Sequence, residues 1–177
     1  MRQLFSFVIL LFPFVINVAN AESFPVSDIK ISAKESMPYN YKNKTYMWRS
    51  PEITINDPSD KFQKPDFNYD NVITHAIKTE LSQLGVVEKK DTTDLIVTYG
   101  IDLNMAAIRI KSFAGTDSKL VFNVPEGTLT VHVIDQLSGV VVWSGWANVD
   151  AVKRKSAEST QRLNYMVKEI FKRFPAS

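Results

Sequence analysis

Apolar and polar residues alternate along two stretches in the second half of the chain. Apolar residues occupy every second position from Asp94 to Leu103, and the same period of two runs from Thr128 to Val133. This period is typical of a strand that buries one of its faces. Residues Asp135 to Gly139 favour a tight turn, and the β-branched and aromatic run from Val140 to Trp146 predicts a returning strand. We therefore expect three strands here, two of them joined as a hairpin.

A helical period marks the segment before the first of these strands. Its apolar residues recur at spacings of three and four, which predicts an amphipathic helix. Asn68 or Asp70 is the expected N-cap, and Gly85 is the expected C′ residue after the last turn, which ends near Leu84. The predicted apolar stripe consists of Val72, Ile73, Ala76, Ile77, Leu81 and Leu84.

A second helix is predicted at the end of the chain by the same spacing. Ser156 or Ser159 is its expected cap, and Pro175 is expected to end it, because proline cannot donate the next backbone hydrogen bond. The predicted stripe consists of Leu163, Met166, Val167, Ile170, Phe171 and Phe174.

The first half of the chain is less regular. Alternation predicts a strand from Val26 to Ala33 and another from Lys44 to Arg49. Three prolines between Ser50 and Phe67 exclude a continuous helix or a central strand, so we expect an irregular segment that wraps the surface.

An extended hairpin arm is predicted after the long strand that ends at Leu103. Ile108 and Ile110 alternate with basic residues, Ala114 to Ser118 favour a turn, and Leu120 to Val124 favour a returning strand. The predicted order is β-β-α-β-(β-hairpin)-β-β-α. This order favours an α+β fold: one mainly antiparallel, twisted sheet with both helices packed on one face.

The opposite face of that sheet is expected to be open to water, with a mixed polar surface. It should carry Ile96, Thr98, Gly100, Thr130 and His132. Trp143 and Trp146 are three residues apart and lie on opposite faces, so the register of the hairpin decides which of them is exposed. A single bulge reverses the outcome, and the sequence leaves both alternatives open.

Residues 1–21 predict a cleavable export signal. Arg2 is the positive start, Leu4 to Ile16 the apolar core, and Ala19 to Ala21 the cleavage site, with cleavage expected after Ala21. The apolar core is shorter than the ~20 residues that span a bilayer as a helix. The alternative is an uncleaved N-terminal anchor. We expect residues 22–177 to form a single α+β domain, with no membrane span once the signal is cleaved.

The chain contains no cysteine. Disulfides, thiolate metal sites and a lipid-bearing lipoprotein cysteine are therefore excluded. An exported protein without disulfides fits a bacterial periplasm. The formal net charge is only +2. A nucleic-acid-binding protein needs a clustered basic face, and we expect none here. The basic residues around the last helix predict a solvated helix face: Lys153, Arg154, Lys155, Arg162, Lys168, Lys172 and Arg173.

Six short motifs appear in order along the chain: Thr45-Tyr46-Met47-Trp48, Asp94 to Tyr99, Glu126-Gly127-Thr128-Leu129, Asp135 to Gly139, Val142-Trp143-Ser144-Gly145 and Phe174-Pro175. Together they resemble the bacterial family called domain of unknown function 4136, over roughly Ile29 to Pro175. The resemblance implies a location in the bacterial cell envelope, where many members are lipoproteins. It implies no established activity.

Residues that could carry chemistry do not form a recognisable catalytic or metal-binding motif. His75 is expected at the margin of the first helix and His132 on a strand, on opposite sides of the sheet, so the two cannot share a metal. Asp94, Asp102 and Asp135 are expected at strand ends or turns, where capping explains them. We predict no catalytic, cofactor-binding or metal-binding residues and no cofactor.

Three functions remain open for this chain. The first is a non-catalytic envelope protein that binds or assembles through the uncovered sheet face, a sheet edge or the arm, with an envelope protein or a lipid as partner and no nucleic acid. The second is a carrier or sensor of a small amphiphile, suggested by the aromatic content. The third is a hydrolase that uses His132 with Asp102 or Asp135. The oligomeric state does not follow from the sequence.

Overall fold

The computed structural model of the protein describes residues 26–60, 62–112, 119–151 and 154–175. The predicted export signal, the predicted turn of the arm and Lys153 lie outside these residues. The elements follow in the order β1 (Lys30–Glu35), β2 (Thr45–Trp48), β3 (Glu52–Asn56), α1 (Tyr69–Gln83), β4 (Val87–Glu88), β5 (Leu95–Asn104), β6 (Ile108–Ser112), β7 (Lys119–Asn123), β8 (Glu126–Asp135), β9 (Val141–Asp150) and α2 (Ser156–Phe171).

Seven of the strands form one mixed sheet. β1, β9, β8 and β5 are antiparallel neighbours in that order, whereas β2 and β3 lie parallel to β5 along its other side. β4 pairs in parallel with β2. The predicted α+β fold with a mainly antiparallel sheet is confirmed. The parallel pairs arise because the chain crosses over through α1 before it enters β5, and such a connection favours parallel neighbours.

Two short strands were not predicted. β3 lies inside the segment from Ser50 to Phe67 that the prolines marked as irregular, and β4 follows the first helix. Pro51 and Pro58 flank β3 without entering it, so its backbone can pair with β5 on one side. The prediction of an irregular wrap is therefore wrong for Glu52–Asn56, which forms an edge strand. β1 also begins later than predicted, at Lys30.

The core lies between the sheet and the two helices, which pack against each other. Tyr99, Val131 and Gly145 stand directly opposite one another on β5, β8 and β9, so their side-chain positions share one face. The hydroxyl of Tyr99 donates to Asp70 of α1 at 2.5 Å. A Cβ built on Gly145 would lie 2.5 Å from Cγ2 of Ile170 in α2. From these contacts we infer that both helices lie against this face.

The first helix begins and ends as predicted. Asn68 is the N-cap, and its side-chain oxygen accepts a hydrogen bond from the backbone N–H of Asn71 at 3.1 Å. Gly85 follows the helix with a φ of 75°, a conformation that glycine adopts without steric strain.

The ends of the second helix differ from the prediction. Its N-cap position is Lys155, without a side-chain capping hydrogen bond, and Ser156 is the first helical residue. The Ser156 hydroxyl donates instead to Asp66 at 2.5 Å. The helix ends at Phe171, four residues before Pro175, so the proline does not itself terminate it. The Ser156 side chain thus makes a tertiary contact with Asp66 and does not form the local cap that the sequence predicted.

Candidate binding surfaces

The face of the sheet turned away from the helices, here the helix-free face, carries both polar and apolar side chains and is partly exposed. The register places Thr98 opposite His132 and Gly100 opposite Thr130, as the alternation predicted. On β9, Ser144 stands opposite His132 and Trp146 opposite Thr130, so both join this face. Their side chains are half-buried, neither in the core nor fully in water.

The structure decides which of the two tryptophans of β9 is exposed. Trp143 is fully buried, and its ring lies 4.8 Å from that of Phe174 and 5.4 Å from that of Phe171. Trp146 lies on the helix-free face. A register shift between Val133 and Ile134 in the β8–β9 pairing sets this outcome. The deciding feature is a local irregularity of the backbone, which the residue pattern did not reveal.

His132 contacts a serine rather than a carboxylate. Its Nδ1 lies 2.7 Å from Oγ of Ser144 across the β8–β9 pair. Burial lowers the pKa of His132, and the nearby Glu52 opposes this shift, so the ring is neutral near pH 7. The pair is a polar contact between two central strands. Ser144 does not sit at the strand-to-helix turn that exposes a nucleophilic serine.

The carboxylates considered with His132 serve other contacts. Asp135 accepts hydrogen bonds from Tyr39 at 2.8 Å and from Ser138, and the Ser138 and Tyr39 bonds lower the pKa of Asp135. Burial and this bond raise the pKa of Tyr39 to about 12. Asp102 lies four residues along β5 from Thr98, the residue opposite His132, a separation of roughly 13 Å at ~3.3 Å per residue.

Of the two remaining candidate residues, Asp94 has a structural role, and the described structure shows none for His75. Asp94 accepts hydrogen bonds from the backbone N–H of Thr45 at 2.8 Å and from Lys44 at 3.1 Å, and both lower the pKa of Asp94. This carboxylate joins the starts of β2 and β5. Asp94 therefore acts as a bridge between strands, in keeping with the capping role predicted for it. His75 is exposed on α1.

The arm consists of β6 and β7, which pair with each other in a separate two-stranded sheet. The predicted hairpin is confirmed. Ile108, Ile110 and Val121 share one face of the arm and are 65%, 63% and 59% exposed. Leu120 is exposed on the other face. A two-stranded hairpin is marginally stable by itself in water. An exposed apolar face on such an arm is typical of an interaction site.

Arg109 fixes the base of the arm to the main sheet. It donates to Asp150 of β9, through Nη1 at 3.1 Å and through Nη2, and Nη2 also lies 3.3 Å from Glu126 of β8. A cleft of about 240 Å³ lies beside this bridge, lined by Asp28, Lys30, Arg109, Glu126, Gly127, Thr128, Asn148, Val149 and Asp150. Its mixed charges suit the polar rim of a protein interface. Sequence analysis missed Arg109, because its two partners are on distant strands.

A second apolar surface lies at the free edge of β3. Among the described residues β3 pairs only with β5, and all five of its residues are exposed. Ile53 and Ile55 are 43% and 41% exposed. An open edge strand presents unpaired backbone groups to other chains. Ile53 and Ile55 alternate with polar residues, which is a strand signal, but sequence analysis missed it because the segment is short and enclosed by prolines.

The basic residues around α2 are only in part a solvated face. The half-buried Arg154 pairs with Glu158 and the exposed Lys172 with Glu169, each at 2.5 Å. Arg162, however, is buried and pairs with Asp28 at 2.5 Å. The prediction is therefore wrong for Arg162. Its partner lies in the segment before β1, so the pattern of residues along the helix could not reveal this ion pair.

The described residues contain no group of three or more metal-ligating side chains. Among the described helices, none has the length and apolar character needed to cross a membrane.

Comparison with known proteins places the chain in a family. A model of the family described as Domain of unknown function (DUF4136) matches residues 33–176. The chain belongs to this family. The predicted resemblance is thus confirmed, over nearly the same span. No curated protein matches the sequence significantly.

Solved structures share the fold of this DUF4136 chain at low sequence identity. A DUF4136 family protein from Bacteroides thetaiotaomicron has a TM-score of 0.53 at 11% identity, over 84% of this chain and 97% of that one. A PDZ domain protein from Parabacteroides distasonis has a TM-score of 0.50 at 13% identity, over 85% of this chain and 36% of that one. The PelC dodecamer from Paraburkholderia phytofirmans has a TM-score of 0.44 at 12% identity, over 80% and 94%. The similarities to the Bacteroides thetaiotaomicron and Parabacteroides distasonis proteins describe the fold alone.

Proposed function

We propose that this DUF4136 protein is a non-catalytic component of the bacterial cell envelope that acts by binding or assembly through its arm. The observation that carries the proposal is the exposure of Ile108, Ile110 and Val121 on one face of β6 and β7. In the described part of the chain these side chains do not belong to the core. A partner that covers them removes apolar surface from water, which is the main favourable term in association.

The anchoring of the arm supports the same proposal. Arg109 is bound to Asp150 and Glu126, so the base of the arm is held against the main sheet. An arm that is fixed at its base loses less conformational freedom when a partner binds. The exposed apolar face is therefore presented in a defined position.

A periplasmic location is part of the proposal. Residues 1–21 have the pattern of an export signal with expected cleavage after Ala21, and the chain has no cysteine for a lipid anchor. The family resemblance implies the cell envelope as well. We propose an envelope protein as the partner and no nucleic acid.

The two alternatives have weaker support. The amphiphile carrier was suggested by the aromatic content, but Tyr41, Trp143, Phe171 and Phe174 are buried and pack on one another. The hydrolase required His132 beside a carboxylate, and its ring contacts Ser144 instead.

Site-specific photo-crosslinking in cells that produce the protein tests the proposal. A photoreactive amino acid replaces Ile110 in the arm or, as the control, the exposed Val87 of β4. We expect a discrete crosslinked band from position 110 and none of comparable yield from position 87. The same yield from both positions, or no band from position 110, would contradict the proposal.

A further inference from the structure

We propose that the partner of the arm is a second copy of this chain, which receives the arm on the free edge of its β3. The inference rests on the proposed function and names the partner. Both surfaces are exposed in one chain, so the described residues of the arm do not cover β3 of their own copy. Each copy therefore has one arm to donate and one edge to accept another.

The spacing of the apolar residues is the same on both surfaces. Ile108 and Ile110 on the arm, like Ile53 and Ile55 on β3, are two residues apart on a strand. Side chains two residues apart on a strand stand on the same face, about 6.6–6.8 Å from each other. A strand of the arm that aligns with β3 can bring its isoleucines beside those of β3 in register.

The backbone of β3 can pair with that strand. β5 occupies one side of β3, and among the described residues nothing pairs with the other side. A strand added to an open edge gains main-chain hydrogen bonds, while alternate side chains give the contact its specificity. The edge of β3 carries no lysine or proline of the kind that blocks such pairing.

Charge also favours this pairing. Glu52 lies in β3 and Asp57 directly follows this strand, and the nearest basic residue of the described chain, Arg49, comes three positions before Glu52. The arm carries Lys119, which is exposed on the same face as Ile110. Opposite charges on the two surfaces favour the arm-to-edge contact over arm-to-arm or edge-to-edge contacts, where like charges meet.

The contact joins two different surfaces and is therefore heterologous. Heterologous contacts produce head-to-tail rings if the rotation closes, and open filaments if it does not. We expect the purified protein to form species larger than a dimer.

Analytical ultracentrifugation of two double variants tests this arrangement. The arm variant carries Ile110→Thr and Val121→Thr, and the edge variant carries Ile53→Thr and Ile55→Thr. Threonine keeps the β-branched shape that favours strands but removes apolar surface. Each variant alone should be monomeric, with self-association weakened on the order of tenfold for each substitution. Far-UV circular dichroism and the thermal midpoint establish that both variants are folded.

The decisive sample is an equimolar mixture of the two variants. The arm variant keeps an intact edge and the edge variant keeps an intact arm, so the mixture has one productive interface. It should form a 1:1 dimer and nothing larger. A mixture that stays monomeric while the wild type associates would overturn the arm-to-edge contact.

Failure of this inference is distinguishable from failure of the proposed function. A wild-type protein that is monomeric at its highest soluble concentration, together with a crosslink from position 110 to a different polypeptide in cells, would overturn the second copy as partner. The proposed function would then stand.

Discussion

The buried ion pair between Asp28 and Arg162 is expected to hold the segment before β1 against α2. Their side chains are 17% and 4% exposed, and Nη2 of Arg162 donates to Oδ2 of Asp28 at 2.5 Å. Asp28→Asn keeps the shape of the side chain and an acceptor oxygen but removes the negative charge. The substitution therefore tests the charge of the pair with little change in packing.

The expected loss at pH 7 is about 2 kcal/mol in the free energy of unfolding, in the range of a hydrogen bond between charged groups. Removing a partner from a fully buried pair costs about 3–5 kcal/mol, and we expect less because Asp28 retains contact with water. Burial acts to raise the pKa of Asp28, but the hydrogen bond and charge of Arg162 outweigh it and lower the pKa below 3.8.

The lowered pKa of Asp28 sets the pH dependence of the effect. A carboxylate whose pKa is lower in the folded state stabilises fully above its unfolded pKa, and this contribution is lost as pH falls through the folded pKa. The difference between wild type and Asp28→Asn should thus be complete at pH 7 and shrink below the unfolded value of 3.8.

Urea unfolding followed by tryptophan fluorescence at pH 7 and at about pH 2.5 measures both differences. Equal stability of variant and wild type at pH 7 would refute the reasoning. So would a loss of the same size at both pH values, since it would be independent of the charge on Asp28.

Three further predictions concern other parts of the fold. Gly145→Ala should lower the free energy of unfolding by about 1–3 kcal/mol, because the new Cβ would clash with Ile170 at 2.5 Å. In the matched control Gly100→Ala the new Cβ meets a backbone oxygen at 3.6 Å, and stability should change by less than about 0.5 kcal/mol. Equal losses in urea unfolding would contradict the packing of α2 on β9. Asn68→Ala should cost about 1 kcal/mol through loss of the N-cap, and an unchanged thermal midpoint would argue against this cap. Burial lowers the pKa of His132, so the unfolded chain binds a proton that the folded chain does not, and the free energy of unfolding should fall as pH drops below 6.5. His132→Gln should show a smaller fall over this pH range. The same dependence of stability on pH in variant and wild type would rule the histidine out as its source.

The elements with a buried face were predictable from sequence. β5 and β8 alternate because one face of each packs in the core, and the stripe of α1 has the same cause. Features that depend on distant partners were not predictable. The pairing of Arg162 joins residues 134 positions apart, so the helical pattern gave it a solvated position. β3 pairs with β5, a strand that follows it only after α1 and β4.

The candidate surfaces were predictable only in outline. The alternation of residues indicated the arm. Ile110 and Val121 are exposed because no described residue of their own chain covers them, and the sequence pattern could not show this. The placement of Trp146 on the helix-free face required the register of β8 and β9, including its shift at Val133. A pattern of residue types records which faces are apolar, and the tertiary structure decides which of those faces are covered.

The central claim is that a partner covers the arm where the protein functions. The chain has no cysteine, so a single introduced cysteine reports local exposure without interference. Val121→Cys in the arm and Val87→Cys on β4 are matched sites, since the native valines are 59% and 55% exposed.

The measurement is the rate of maleimide labelling of each variant, in cells that produce the protein and in dilute purified protein. We predict similar rates for both sites in dilute solution, and labelling of Val121→Cys in cells that is slower on the order of tenfold than that of Val87→Cys. Equal rates at the two sites in cells would contradict the claim that the arm is an interaction surface.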